Sequence, residues 1–282
     1  MHITDRKTAR KRGAALLILL FFFIACGART AKRDTHYLRF ALIGKTNPVS
    51  PFQAVSEQVK YLFHEVNRAN PVFTVHLGDI VFGGSEWMGV RRSDVSRQYV
   101  HFFRYVSLLN PILHTVKGEK DLHNNSSGLY RKFTGRKTYY SFNYGTLHFI
   151  VLDTTDSKPG HISEGQRGWL ERDLATNRHA TATFIFTYHP IIVNSRNYSQ
   201  TGTICENAEQ LHQIFQKHSV KAVFSGDSNS YCLEKRDTVT YYVTGFGGLN
   251  NGRYNKYYHY YLVDYAMGNI TITAHRLTAS TK

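Results

Sequence analysis

Residues 38–47 read LRFALIGKTN, an apolar run from Leu38 to Ile43 that stops at Gly44 and passes into a polar loop. A short continuous apolar run closed by glycine predicts a strand buried on both faces. Outward from it, Phe52, Val55, Val59, Leu62, Phe63 and Val66 recur at three- and four-residue spacing. That spacing predicts an amphipathic helix ending near Asn70-Pro71. A second strand, Val72 to Leu77, runs into Gly78-Asp79. Helical spacing then returns over Ser93 to Leu109 through Val95, Tyr99, Phe102, Phe103 and Val106. A third strand, Ile112 to Val116, opens into Lys117-Gly118-Glu119-Lys120-Asp121. This β-α-β-α-β order predicts right-handed crossovers and a largely parallel sheet.

The second half changes style. Tyr139 to Tyr144 and Leu147 to Leu152 flank Gly145-Thr146 as a hairpin, and Ser163-Glu164-Gly165-Gln166 has capping-box spacing ahead of Trp169, Leu170 and Leu174. Strands are expected at Ala182 to Thr187, Ala222 to Ser225 and Thr238 to Thr244, with a helix over Ala208 to His218. Tyr257 to Asp264 and Ile270 to His275 read as a closing hairpin across Ala266-Met267-Gly268-Asn269. No internal repeat or low-complexity linker divides the body, so it reads as one domain of two sheets with outer helices.

The 282-residue chain has 35 Lys and Arg against 20 Asp and Glu, with 42% hydrophobic residues and three cysteines. Those values exclude a disordered chain, a collagen-like repeat and a disulfide scaffold. Part of the basic excess lies at the start, where Arg6, Lys7, Arg10, Lys11 and Arg12 precede an apolar run from Ala14 to Ala25. A charged stretch, a short apolar run and small residues describe a signal peptide, and the run is shorter than the roughly 20 residues a membrane-spanning helix needs. Phe23-Ile24-Ala25-Cys26 resembles a bacterial lipobox, which implies removal of residues 1–25, lipidation of Cys26, and an exported protein on a membrane, periplasmic or at the cell surface. Cleavage after Ala28 is the alternative. Residues 27–37 read as a tether, and residues 38–277 as the folded domain. Without residues 1–25 the chain keeps 30 basic and 19 acidic residues. Cys205 and Cys232 then form an even pair that an oxidising compartment would allow to bridge; two buried thiols are the other reading.

In open α/β sheets ligands bind at the carboxyl ends of the strands. The loops there carry LIGKTN (42–47), LGDIVFGG (77–84), VKGEKD (116–121), FTYHP (186–190) and FSGDSNSY (224–231). With YYSFNYGTLHFIVLDTT (139–155), GQRGWLERDL (165–174) and YYVTGFGGL (241–249), their order and spacing resemble the calcineurin-like metallophosphoesterases, including the purple acid phosphatases, over nearly all of residues 38–277. The resemblance implies a four-layer α/β sandwich, two mixed sheets flanked by helices. It also implies a phosphate ester hydrolase in which two bridged divalent cations activate water.

The ligand positions depart from that pattern. By resemblance, Lys45 stands where the first aspartate belongs and Asn47 where the first histidine belongs. Glu119 and Lys120 replace an Asn-His pair, and Asp227 and Asn229 replace the last two histidines; Asp79 and His189 are retained. The first metal would draw on Lys45, Asn47, Asp79 and Asn229, and an ammonium cannot ligate a cation, so Lys45 is expected to fill that space and pair with Asp79. Asp79, Glu119, His189 and Asp227 are competent donors for a single divalent ion, Zn, Mn, Fe or Mg. Lys120 takes the place of the family's catalytic histidine and would be a poor general acid near neutrality. A salt-bridge cluster of Lys45, Lys120, Glu119, Asp121 and Asp227 is the structural reading of the same residues. His76, His114 and His148 lie in strand patterns and read as structural; His123 reads as an exposed loop histidine, with compensation for Lys120 as the alternative. The expected protein is a degenerate, metal-free pseudoenzyme that binds an anionic or phosphorylated ligand through Lys45 and Lys120, or a cell-surface macromolecule. The alternative is an active mononuclear phosphoesterase. No nucleic-acid motif is present.

Overall fold

The computed structural model describes residues 37–192, 204–227, 231–244 and 258–277. The signal segment, Cys26, Asn229 and the stretch after Thr244 lie outside the described residues. Strand β1 (Tyr37–Ile43) alternates its side chains between two cores, with Leu38, Phe40 and Leu42 facing one and Ala41 and Ile43 the other. It lies mid-sheet, parallel to β2 (Phe73–His76) and antiparallel to β10 (His259–Ala266). With β3 (Ile112–Thr115) and β11 (Asn269–Arg276) they form a five-stranded sheet, β11-β10-β1-β2-β3.

Helices α1 (Gln58–Ala69), α2 (Arg92–Val106) and α3 (Gly128–Thr134) belong to the core on one face of this sheet. Val59, Leu62, Phe63 and Val66 of α1 are buried as their spacing predicts, and the helix stops at Asn70 with φ 49°, just before Pro71. It begins later than predicted, because Phe52 is 62% exposed. The carbonyls of Ser50 and Pro51 accept hydrogen bonds from Gln98 Nε2 on α2, so this stretch is a bound loop. Helix α3, only seven residues opening on glycine, has too little periodicity to be read from sequence.

The second sheet has the order β4-β5-β6-β7-β9-β8, from β4 (Tyr140–Tyr144), β5 (Leu147–Val151), β6 (Ala182–Thr187), β7 (Ala222–Ser225), β8 (Tyr231–Arg236) and β9 (Val239–Thr244). Its four central strands are parallel, and β4 and β8 close the edges antiparallel. Edge strand β8, YCLEKR, lacks the apolar pattern that marks the others, as suits a charged edge. Helices α4 (Glu164–Thr176) and α5 (Ala208–Lys217) share its outer core. Ser163 Oγ caps α4 by accepting the Gln166 N–H, but the Gln166 side chain does not complete the expected box. It bonds both backbone groups of Asp153 instead, fixing the loop after β5.

Between the sheets lies an aromatic core. Phe40 stacks on Phe73 at 5.2 Å and meets Phe149, Phe184, Phe186 and Phe224 edge-on. Each such burial contributes about 1.5–3 kcal/mol, so this layer is the main cohesive force between the sheets. The strand histidines are structural: His114 stacks on Phe142 at 3.6 Å, and His148 bonds Asn143 and Asp173. Cys205 and Cys232 are both buried free thiols, so the possible bridge is not formed. They pack in separate clusters, Cys205 beneath α5 with its thiol on Asn207, and Cys232 against Val243.

Candidate functional site

The loops after β1, β2, β3, β5, β6 and β7 converge at the carboxyl ends of the parallel strands. Their centre is Asp79, wholly buried, with φ 58° in the left-handed region that a non-glycine residue enters at a cost. Its carbonyl accepts the N–H groups of Thr46 and Asn47, so the loop after β1 hangs on it. Neighbouring glycines make room. A Cβ on Gly78 would lie 2.5 Å from the Tyr188 ring, and one on Gly118 would lie 2.3 Å from the backbone nitrogen of Asp79. His76 supports the same loop from beneath: its Nδ1 accepts the Gly78 N–H and its Nε2 bonds Thr46 Oγ1. Burial pushes this histidine down to about 3, so it is neutral.

The Asp79 carboxylate is fully engaged. Oδ1 accepts the Lys120 N–H at 2.9 Å; Oδ2 accepts the Tyr188 hydroxyl at 2.7 Å and faces Lys45 Nζ at 3.3 Å. Lys45 Nζ also donates to Asp227 Oδ1 at 2.6 Å and lies over the Tyr188 ring. Burial alone would lower the Lys45 pKa, but Asp79 and Asp227 outweigh it and hold the ammonium above the ordinary lysine value. The predicted pairing of Lys45 with Asp79 is therefore present, with Asp227 as the nearer partner.

His189 is pinned at both ring nitrogens. Nδ1 lies 2.8 Å from Thr154 Oγ1; Nε2 lies 2.8 Å from Glu119 Oε1 and 4.0 Å from Asp227 Oδ2. Asp121 stands apart from the ions: its carboxylate accepts the N–H groups of Gly118, Asp79, Ile80 and Val81. Burial, and secondarily the Asp79 charge, push it up to about 7 against those bonds. Lys120 also leaves the expected cluster; its amine lies 4.9 Å from the centre of the Phe82 ring and makes no ion pair among the described residues. Lys45 and Lys120 thus diverge. His123, expected to be exposed, is instead buried in its loop, with Nε2 3.2 Å from the Val90 carbonyl.

Sequence reasoning missed four residues. Tyr188 and Thr154 lie inside the motifs FTYHP and LDTT and gave no signal of their own. The buried pair Lys117–Asp153, at 2.8 Å, joins two motifs whose charges show no relation until the sheets are docked.

Tested against a dinuclear centre, the residues do not fit. At the first position the Lys45 ammonium faces Asp79, the carboxylate that a cation would need. At the second, Asp79 and Asp227 are already bonded to Tyr188, Lys45 and backbone. Among the described residues no group of three or more His, Cys, Asp or Glu is arranged to hold a metal ion. The Asn47 amide oxygen, buried without a hydrogen-bond partner, is a single neutral donor and does not alter that.

Two sheets in face-to-face packing, with helices outside and a loop cluster built on a Gly-Asp turn, define the phosphoesterase class. The sequence profile of the calcineurin-like phosphoesterases matches residues 34–231, and the chain belongs to that family. Similar solved structures include a dimetal phosphatase from Danio rerio (TM-score 0.66, 13% identity, covering 85% of this chain and 96% of that one). Another is GAP50, the anchor in the inner membrane complex of Plasmodium (TM-score 0.58, 16% identity, 87% and 90%). A third is a purple acid phosphatase from yellow lupin, Lupinus luteus, seeds (TM-score 0.59, 14% identity), of which the match spans 51%. No curated protein sequence matches the chain significantly.

Proposed function

We propose that this chain is a non-hydrolytic member of the family that uses the phosphoesterase fold as a binding scaffold. The observation that carries the reading is Lys45 Nζ, held between Asp227 and Asp79 at 2.6 and 3.3 Å. A single buried positive charge stands where the family's chemistry calls for a divalent one, and it is already neutralised. The same contacts argue against anion binding at Lys45, since an incoming phosphate would have to displace Asp227 while facing Glu119 and Asp79. A macromolecular partner is the reading this favours. Among the similar structures, one is described as an anchor and others as phosphatases, so both uses of the fold have precedent.

The test is metal content and turnover of the purified chain after incubation with Mn²⁺ or Zn²⁺ and desalting, assayed on a phosphate monoester and a diester. The expected result is metal well below one ion per chain and no turnover above the protein-free rate. Near-stoichiometric metal with turnover abolished by Asp79→Ala would overturn the proposal and establish a single-metal phosphoesterase on Asp79, Glu119, His189 and Asp227.

A further inference from the structure

The turn at Glu86–Met88, between β2 and α2, presents Trp87 at 85% exposure and Met88 at 52%. The turn is stiff. Met88 and Val90 donate to the Ser85 carbonyl, Gly89 donates to that of Glu86, and the Glu86 N–H bonds Asn124 Oδ1 in the segment leading into α3. A rigid turn holding a large aromatic ring in water gains nothing for the isolated fold, because its apolar area is buried only against a second surface.

The flanking surface is basic. Arg91 and Arg92 follow the turn at the start of α2, and Arg131 and Lys132 project from α3, which packs beside α2 through Tyr99 stacked on Phe133 at 5.1 Å. All four are exposed, and none makes an ion pair among the described residues. The nearby acid Asp94 is already engaged by the Arg97 side chain and the Arg91 N–H. An indole and a thioether followed in the chain by two exposed arginines, with Glu86 the one carboxylate of the turn, have a composition that suits the interface of an anionic bilayer. The ring seats at headgroup depth, and each cation near the surface adds electrostatic attraction.

We propose that the turn 86–88 and the adjoining faces of α2 and α3 dock on an anionic lipid bilayer, with Trp87 entering the interface. This does not depend on the state of the metal site, nor on Cys26. The full chain carrying Trp169→Phe keeps Trp87 as its one tryptophan, since the sequence has two. Vesicles of phosphatidylcholine with phosphatidylglycerol should shift its emission to shorter wavelength, and brominated acyl chains should quench it. Pure phosphatidylcholine should do so several-fold less, and Arg91→Glu with Arg92→Glu should remove the difference. Emission unmoved by anionic vesicles, even where the amino-terminal segment holds the chain on them, would overturn the proposal. Self-association abolished by Trp87→Ala, with no quenching, would overturn it equally and make the face a protein interface.

Discussion

At the residue scale, Lys45 is the residue on which the buried carboxylates depend. Removing one partner of a buried ion pair costs about 3–5 kcal/mol, because the remaining charges are left without compensation. Lys45→Met should therefore lower the free energy of unfolding by that amount in urea titration, whereas Lys120→Met, whose amine lies on an aromatic face, should change it by less than about 1 kcal/mol. Two equal effects would mean that the Lys45 contacts contribute little. Much of this centre was legible. The Gly-Asp turn, His189 and the misfit of a lysine at a ligand position are all local in sequence. What stayed hidden was the choice of partner: Asp227 is 182 residues from Lys45, and nothing local distinguishes it from Asp79 or Asp121 as the nearer neighbour.

At the element scale, strands that alternate or run apolar under helices were readable, since burial imposes their pattern. Edge strand β8 and the short α3 were not, because neither buries enough to impose one. The loop after β2 is where local conformation and tertiary packing meet. Gly78 has φ 103° and its missing Cβ leaves room for the Tyr188 ring, whereas Gly89, with φ 77°, has nothing within 4 Å. Gly78→Ala should thus cost clearly more than Gly89→Ala, roughly 2–4 against 1 kcal/mol, because only the first adds a clash to the backbone strain. Urea midpoints of the two variants would show it, and parity would mean the loop yields freely. Phe52 shows the opposite lesson. Its spacing suits a helix, but Gln98 holds the Ser50 and Pro51 carbonyls and the chain remains a loop.

For the whole molecule, buried titratable groups set the pH range of the fold. Burial pushes His76 down to about 3, and burial with the Arg136 charge pushes His114 to about 4, from ordinary values of 6.5. Between about 4 and 6.5 each gains a proton only on unfolding, so stability falls as pH drops through that window. Asp121 works in reverse. Pushed up from 3.8 to about 7, it favours the folded state most below its unfolded value and loses that contribution as pH rises through 7. Two histidines outweigh one carboxyl, so the free energy of unfolding from urea titration should fall as pH drops from 6.5 to 4.5, by up to about 1.4 kcal/mol per unit for each histidine less the Asp121 offset. A His76→Gln variant should flatten the profile; an unchanged slope would assign the acid sensitivity elsewhere.

The place of β10 beside β1 carries a consequence for biosynthesis. Tyr37–Leu42 pairs with Tyr261–Ala266, and Arg39 clasps Asp264 through two hydrogen bonds, so the first of the described strands is completed by one made more than 200 residues later. While the ribosome translates everything between, β1 has a bare edge of unpaired backbone, the kind of edge that invites pairing with other chains. Until the β10–β11 hairpin emerges that edge stays open, and a chain interrupted before residue 259 keeps it open.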